Sequence, residues 1–207
     1  MIRGRFITLE GIEGAGKSSL QARLADALSE RGRRVCVTRE PGGTPLAEDI
    51  RALVLKRREE PMPPVAEVLL MFAARNAHVE NRIRPALARG EWVLCDRFTD
   101  ATRAYQGGGR GLDSSMIEQL AMLTHPRLQP DLTLLLDLPP QTGLSRARGR
   151  QEAGDRFEDE TLSFFSRVRE RYLALAAAEP DRIHIIDATQ DTQSVLAQAL
   201  AAVEAVR

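Results

Sequence analysis

Gly11-Ile-Glu-Gly-Ala-Gly-Lys-Ser18 matches the pattern G-x-x-x-x-G-K-[ST] at every fixed position. A strand-like run at residues 5–10 precedes it, and apolar residues at helical spacing follow it between residues 20 and 28. A glycine-rich turn in this setting gathers backbone N–H groups at a helix N-terminus, where they hold phosphate oxygens. We expect Lys17 to reach the β and γ phosphates of a nucleoside triphosphate and the Ser18 hydroxyl to bind Mg²⁺. The predicted nucleotide-binding residues are Gly11, Ile12, Glu13, Gly14, Ala15, Gly16, Lys17 and Ser18.

Four further apolar runs, separated by helical patterns, extend this strand–loop–helix unit. They predict strands at residues 35–38, 92–95, 132–138 and 183–186. Strands that alternate with helices are typical of a parallel sheet with helices on its faces. We therefore predict an α/β fold with a doubly wound five-stranded parallel sheet, of the P-loop NTPase type, in one domain spanning residues 1–207. The glycine-rich residues 107–111 are predicted to form a flexible loop.

Composition and charge exclude several classes of protein. Lys plus Arg and Asp plus Glu both number 29, and a formal net charge of zero argues against a general nucleic-acid binder. No segment approaches 18 consecutive apolar residues and the first residues contain no apolar signal region, so we expect a cytoplasmic protein without a membrane partner. Cys36 and Cys95 lie in strand-like runs, which indicates buried thiols and not a metal site.

The phosphate loop alone does not identify the fate of the triphosphate. Its spacing differs from G-x-G-x-x-G, which excludes a dinucleotide-binding fingerprint. The two asparagines, Asn76 and Asn81, are followed by Ala and Arg, so the Asn-Lys-x-Asp element with which GTPases read guanine is absent. The remaining candidates for the function of the phosphate loop are a small kinase and an ATP-driven switch.

Three further segments point to an acceptor that is itself phosphorylated. They are Thr38-Arg-Glu-Pro-Gly-Gly-Thr44, Asp96-Arg-Phe-Thr-Asp-Ala-Thr-Arg-Ala-Tyr-Gln106 and the arginine-rich residues 146–158. Loops that follow parallel strands open on the same edge of a sheet, where ligands bind. Lys17, Arg39 and Arg97 should therefore converge on one crevice, where two guanidinium groups can hold a phosphate monoester bidentately. This arrangement favours a nucleoside monophosphate kinase.

Taken with the phosphate loop, these segments resemble the thymidylate kinase family, which phosphorylates dTMP to dTDP with MgATP. The resemblance runs from about residue 7 to residue 187, and its R-E-P-G-G-T and D-R-F…A-Y-Q elements are specific to that family. It implies that Arg39 and Arg97 hold the dTMP phosphate and that Phe72, or its neighbour Met71, stacks on the thymine ring. The other substrate contacts that it implies are Glu13 at the 3′-hydroxyl or a Mg²⁺-bound water, Arg75, Thr102 and Gln106 at the base, and Tyr105 at the 2′ position.

The resemblance also implies a metal ion and a lid. Ser18 and Asp96 would bind Mg²⁺. Some members of the family carry an arginine in the phosphate loop where this chain has Gly14, and members without it place catalytic arginines in a short lid, which corresponds here to residues 146–158. The implied catalytic residues are Lys17, Arg97, Arg148 and Arg150.

Two alternatives stay open, and both can be tested with acceptor substrates. One is another nucleoside monophosphate or deoxynucleoside kinase on the same scaffold, and the other is a non-catalytic ATP-binding regulatory module. For the quaternary structure, the apolar run at residues 65–74 is more hydrophobic than a helix on one face of a sheet requires. Because members of the family are homodimers, we expect a homodimer with this helix, predicted for residues 65–87, at its interface.

Overall fold

The computed structural model describes residues 4–149, 157 and 160–205. In this part of the chain, five parallel strands form one sheet with the order β2-β3-β1-β4-β5. The strands are β1 (Phe6–Glu10), β2 (Val35–Arg39), β3 (Trp92–Asp96), β4 (Leu132–Asp137) and β5 (Ile183–Asp187). All five predicted strands and the doubly wound parallel sheet are confirmed.

Helices cover both faces of this sheet. They are α1 (Lys17–Glu30), α2 (Pro45–Leu55), α3 (Pro64–His78), π1 (Val79–Ile83), α4 (Arg84–Ala88), α5 (Thr99–Thr102), π2 (Arg103–Gly109), α6 (Ser114–Thr124), α7 (Pro140–Arg148), α8 (Leu162–Ala178) and α9 (Thr192–Ala205), where π1 and π2 are π-helical. Successive residues of a strand point to opposite faces. Ile7 and Leu9 pack with α1 and α9, whereas Phe6 packs on the other face with π1 and α4. No helix among the described residues is both long enough and apolar enough to span a membrane.

The long helix predicted for residues 65–87 is divided into three consecutive segments, α3, π1 and α4. Pro85 lies in the first turn of α4. Proline lacks the N–H that a regular helix would use at this position, and the wider π-helical turn lies directly before it. The prediction of helical structure is therefore confirmed, but a single regular helix is not observed.

The prediction of a flexible loop at residues 107–111 is wrong for its first three residues. Residues 107–109 belong to π2, which packs against α8. Gly109 is buried, and a Cβ atom at this position would overlap the ring of Phe164 in α8. A glycine here therefore permits close helix packing, and backbone freedom is not the reason for it.

The carboxyl ends of β1, β2 and β3 meet at one edge of the sheet. Leu9, one residue before the end of β1, is paired with Asp96, and Asp96 is paired with Arg39, so the carboxyl ends of the three strands lie side by side. The phosphate loop leaves the sheet at this edge. Parallel α/β sheets bind ligands at this place.

Candidate active site

The phosphate loop connects β1 to α1. Gly16 precedes the first residue of α1 with a φ of 90°, a left-handed conformation that glycine adopts without strain. Lys17 is 6% exposed, and its Nζ donates hydrogen bonds of 2.9 Å to the carbonyl oxygens of Gly11 and Ile12. Burial, together with the charge of Arg97, lowers the pKa of Lys17 to about 8. An anionic phosphate at the loop would stabilise the charged form of this ammonium group.

Two glycines form the contact between the phosphate loop and α7. Gly14 has a φ of 74°, and a Cβ atom on it would overlap the carbonyl group of Gly143. In the other direction, a Cβ atom on Gly143 would lie 2.5 Å from the carbonyl oxygen of Glu13. Position 14 therefore has no room for a side chain as long as α7 keeps this place.

Ser18 and Asp96 form a pair next to the phosphate loop. The hydroxyl of Ser18 donates a hydrogen bond of 3.1 Å to Oδ2 of Asp96. The other carboxylate oxygen, Oδ1, is buried and has no hydrogen-bond partner among the described residues. A hydroxyl and a carboxylate are the oxygen ligands that Mg²⁺ prefers, so these two residues fit a magnesium ion.

An open cleft lies beside the loop. Six of the predicted substrate residues line it: Glu13, Arg75, Arg97, Thr102, Tyr105 and Gln106. The structure thus brings together side chains from the phosphate loop, α3, the residues after β3, α5 and π2. The cleft combines an apolar wall with several fixed polar groups, which is the usual composition of a small-molecule site.

Arg97, Glu13 and Tyr105 form a hydrogen-bonded triad in the cleft. Nη2 of Arg97 donates to Oε1 of Glu13 at 2.7 Å and to the hydroxyl of Tyr105 at 3.0 Å. The Tyr105 hydroxyl donates to Oε2 of Glu13 at 2.6 Å. Arg97 has a φ of 67°, and its left-handed turn at the end of β3 directs the chain toward α5. Each side chain of the triad is held by the other two.

Arg75 is almost completely buried at the cleft, with 3% of its surface exposed. Its Nε donates to Oε2 of Glu40 at 2.7 Å, and its Nη2 donates to Phe98 O and to the Thr102 hydroxyl, both at 3.0 Å. Nη1 is buried and has no hydrogen-bond partner within the described part of the chain. One N–H-bearing nitrogen of Arg75 is therefore left for a polar acceptor.

Met71 and Phe72 occupy different environments. Met71 lines the cleft, whereas Phe72 is 1% exposed and packs with Ile117 and Ala121 of α6. Consecutive helix residues are rotated by about 100° about the axis, so only one of two neighbours can face a given surface. Of the two candidates for the base contact, Met71 lines the cleft, whereas the ring of Phe72 lies behind it with its centroid 4.8 Å from the guanidinium carbon of Arg75.

Arg39 is not among the residues that line the cleft. Its guanidinium group is 54% exposed and lies 3.0 and 3.1 Å from the two carboxylate oxygens of Glu48 in α2. At the end of β2, Thr38 is buried and Arg39 points to the opposite face, as strand geometry requires. Arg51 of α2 lines the cleft instead, and its Nη1 donates to Pro41 O at 2.9 Å.

The predicted lid falls only partly on described residues. Arg148 is exposed in the last turn of α7, whereas Arg150 lies outside the described residues. Arg146, in the same turn of α7, donates from Nη1 to Ala188 O at 3.0 Å. Phe157 lines the cleft and packs edge-on against Tyr105, with ring centroids 6.1 Å apart.

Two buried carboxylates were missed by the sequence analysis: Glu40, which lines the cleft, and Glu10. Glu40, at 4% exposure, accepts hydrogen bonds from Arg75 and interacts with Nδ1 of His78 at 2.9 Å. Glu10, which is fully buried, accepts from Phe98 N and from the hydroxyl of Tyr172, both at 2.7 Å. The available signal was a charged residue at the end of a strand, since Glu10 ends β1 and Glu40 directly follows β2.

Burial, together with the negative charge of Asp100, raises the pKa of Glu10 to about 8. The carboxyl group is therefore largely protonated at neutral pH. One oxygen of this carboxyl group, Oε2, can then share its proton with the Tyr172 hydroxyl. The other oxygen, Oε1, accepts a hydrogen bond from the N–H of Phe98, the residue after Arg97. Glu10 thus holds the backbone of the loop that carries Arg97.

Comparison with known proteins agrees with this geometry. The family model described as thymidylate kinase matches residues 9–199. A thymidylate kinase from Alkalilimnicola ehrlichii is 58% identical over 196 residues, covering 95% of this chain and 90% of the relative. One from Alcanivorax borkumensis is 56% identical over 201 residues, with 97% and 96% covered. The crystal structure of thymidylate kinase from Ehrlichia chaffeensis superposes with a TM-score of 0.79 at 34% identity, covering 97% of this chain and 99% of that one.

Proposed function

The chain belongs to the thymidylate kinase family, and from that premise we propose that it phosphorylates dTMP to dTDP with ATP as the phosphate donor. The observation that carries the proposal is the cleft beside the phosphate loop. This cleft holds fixed arginines together with a base-sized apolar wall that includes Met71. A nucleotide kinase needs such a second site, because its acceptor is bound separately from the triphosphate.

In this proposal the acceptor phosphate is held by Arg97 and Arg51. Both guanidinium groups line the cleft, and arginine can hold a phosphate through two parallel hydrogen bonds. Arg39 stays a proposed further ligand: it pairs with Glu48 as Arg97 pairs with Glu13, and either pair would have to open toward the phosphate. Glu13 and Tyr105 fix Arg97 and face the sugar, where Tyr105 would disfavour a 2′-hydroxyl.

The base would be recognised by Arg75, Thr102 and Gln106. The buried Nη1 of Arg75 is directed to no described acceptor, and a carbonyl oxygen of thymine would satisfy it. Met71 contributes an apolar contact to the ring. A pyrimidine carrying a methyl group fills such an apolar wall better than one without it.

In phosphoryl transfer, the protein contributes mainly the positioning of the reactants and positive charge around the transferred group. An anionic phosphate oxygen of dTMP attacks the γ phosphorus, a new P–O bond forms, and the bond to the β,γ-bridging oxygen breaks to release ADP. The attacking oxygen carries no proton that must be removed at neutral pH, so no general base is assigned. Lys17 binds the donor phosphates and Arg97 orients the acceptor. Ser18 and Asp96 would hold Mg²⁺, which when bound neutralises charge on the donor phosphates.

Further positive charge would come from Arg148 and Arg150 of the predicted lid. Position 14 in the phosphate loop has no room for an arginine, which supports a source outside the loop. Arg148 lies in the last turn of α7, the helix that touches the loop through Gly143. A lid arginine of this kind acts in the transition state, so its loss should lower kcat more than it changes affinity for dTMP.

A coupled ADP assay with a panel of acceptors tests the function. We expect dTMP to be the best acceptor, dUMP to be weaker by roughly 10–200-fold because it lacks one methyl group, and dAMP and dGMP to be nearly inert. Equal turnover of a purine monophosphate would favour another nucleoside monophosphate kinase, and turnover of thymidine a deoxynucleoside kinase. ADP release that no acceptor stimulates would favour an ATP-binding regulatory module.

We also propose a homodimer through α3 and α6. These two helices pack against each other, and each exposes large apolar side chains: Val65 and Leu69 on α3, and Met122 and Leu123 on α6. Met122 and Leu123 are 70% and 77% exposed, which is unfavourable for a monomer in water. Light scattering should give twice the chain mass of 22.9 kDa, and a stable species of one chain mass at micromolar concentration would contradict the dimer.

A further inference from the structure

Arg110, the residue after π2, contacts two aromatic rings and two carboxylates. Its guanidinium carbon lies 5.8 Å from the ring centroid of Phe157 and 4.9 Å from that of Phe164. Nη1 lies 2.5 Å from Oε1 of Glu160, and Nη2 lies 3.5 Å from Oε2 of Glu67. A planar guanidinium can stack on rings while its edge reaches two carboxylates, which an ammonium group cannot do.

These contacts connect two parts of the acceptor cleft. Glu67 is fully buried, and its Oε1 accepts a hydrogen bond of 2.7 Å from Nε2 of Gln106, which lines the cleft. Phe157 lines the cleft as well and packs against Tyr105. Arg110 therefore touches Phe157 directly and reaches Gln106 through Glu67.

Phe157 is a cleft residue outside the helices. It lies between α7 and α8 and belongs to neither helix. Glu160, which pairs with Arg110, also donates its backbone N–H to Phe157 O at 3.1 Å. The ion pair and the ring contact thus act on two residues, Glu160 and Phe157, that a backbone hydrogen bond joins.

We propose that Arg110 is a positioning residue for the acceptor, because it fixes Phe157 and, through Glu67, the amide of Gln106. The proposal rests on the proposed function, since it concerns the cleft assigned to dTMP. Arg110 itself does not line the cleft. Its loss should therefore alter how well dTMP is held and leave the phosphate loop unchanged.

Steady-state kinetics of Arg110→Met and Arg110→Lys, with Arg167→Met as the matched control, test this role. Arg167 donates to Gly109 O at 2.9 Å and to Ser163 O at 3.3 Å, so its loss removes an arginine contact with the same end of π2. We expect Arg110→Met to raise the KM for dTMP about tenfold, because small displacements of positioning groups have effects up to about 10²-fold. The KM for ATP should stay within about twofold, as should both KM values of Arg167→Met.

Glu160→Gln separates positioning from a general loss of folded protein. Because Glu160 acts through Arg110, Glu160→Gln should raise the KM for dTMP less than Arg110→Met does, and the double variant should not exceed Arg110→Met. Arg110→Lys should fall between the wild type and Arg110→Met, since it keeps the charge and loses the planar fork. An unchanged KM for dTMP in Arg110→Met, or an equal rise in Arg167→Met, would overturn the proposal.

Hydrogen exchange provides a readout that does not depend on catalysis. In the wild type we expect the Glu160 amide to be protected by its bond to Phe157 O, and in Arg110→Met we expect faster exchange of a peptide covering residues 157–165. Unchanged exchange would refute the anchoring. If the wild type failed to phosphorylate dTMP, the proposed function would fall, and this exchange measurement would still decide whether Arg110 fixes Phe157.

Discussion

Replacing Glu10 by glutamine should change the pH dependence of the protein's stability. Glu10 is fully buried, and both of its carboxyl oxygens accept hydrogen bonds, one from Phe98 N and one from the Tyr172 hydroxyl. Glutamine keeps an oxygen for the Phe98 N–H, and its amide can donate to the hydroxyl of Tyr172. The Glu10→Gln substitution therefore removes the titration and retains the shape.

The size of the effect follows from the raised pKa of Glu10. The folded protein keeps its proton up to about pH 8, whereas in the unfolded chain the group ionises near its ordinary value of 4.5. Between these values the folded state binds more protons, so the free energy of unfolding falls as the pH rises. The slope is about 1.4 kcal/mol per pH unit, or about 5 kcal/mol over the whole range.

Two other buried groups define the best pH window for the measurement. Burial and the charge of Arg75 lower the pKa of His125 from 6.5 to about 4, so His125 makes the protein more stable as the pH rises between these values. Its slope opposes that of Glu10 up to pH 6.5. Lys17, whose pKa is lowered to about 8 from 10.5, makes the protein more stable with rising pH only above pH 8, where the slope of Glu10 has ended. Between pH 6.5 and 8 the slope therefore belongs mainly to Glu10.

Urea unfolding followed by the fluorescence of the single tryptophan, Trp92, provides the assay. Between pH 6.5 and 8 the wild type should lose about 2 kcal/mol of unfolding free energy, and Glu10→Gln should lose little. The difference between the two proteins at pH 4.5 reports any cost of the changed shape, because Glu10 is then protonated in the folded state. Parallel pH profiles of the wild type and the variant would refute the assignment of this proton to Glu10.

Three further predictions concern the phosphate loop and the lid. Lys17→Ala should abolish most ADP formation with dTMP while far-UV circular dichroism stays unchanged, and turnover near the wild-type value would contradict the donor site. Measurements of kcat and of the KM for dTMP should compare Arg148→Ala with Arg150→Ala. At least one variant should lower kcat more than threefold with little change in KM. Smaller effects on kcat in both variants would refute the lid mechanism. Gly14→Ala should lower the free energy of unfolding by about 2 kcal/mol or more, because it adds a clash with Gly143 to an unfavourable φ. Gly16 also has a positive φ, but a methyl group added there would meet no atom within 4 Å. In the same urea titration, Gly16→Ala should therefore lower the free energy of unfolding less than Gly14→Ala does.

The sheet and the phosphate loop could be predicted because their signals are local. In the run before Gly11, apolar and polar residues alternate little, and the phosphate loop follows this run directly. Strand, turn and helix are therefore all contained in about 25 residues. The cleft position of Arg97 followed from one rule, that the loops after parallel strands share an edge, whereas that of Tyr105 was implied by the family resemblance. These two residues are separated by only eight positions, so one segment positions both.

The sequence left open which face of an element is turned to the cleft, because that orientation depends on distant partners. At the end of β2, no local sequence signal tells which residue faces the inside of the protein. Thr38 is buried and its neighbour Arg39 is exposed, so a shift of the strand by one residue would exchange the two side chains. For Met71 and Phe72 a local marker was present, because Arg75 lines the cleft one helical turn after Met71 and favours the face that carries Met71. Glu10 was missed because its partner Tyr172 lies 162 residues away, and no sequence period links the two.

The contact between Gly14 and Gly143 also has an evolutionary consequence. Because residue 143 is already glycine, no substitution there can create space for an arginine at position 14. The obstacle is the backbone of α7, so an ancestor with this geometry could acquire a loop arginine only after the helix itself had moved. A single nucleotide change that introduced the arginine first would produce a clashing protein and would be removed by selection. The two ways of supplying the catalytic charge are therefore separated by a rearrangement of the backbone, and a lineage that has adopted one of them is expected to keep it.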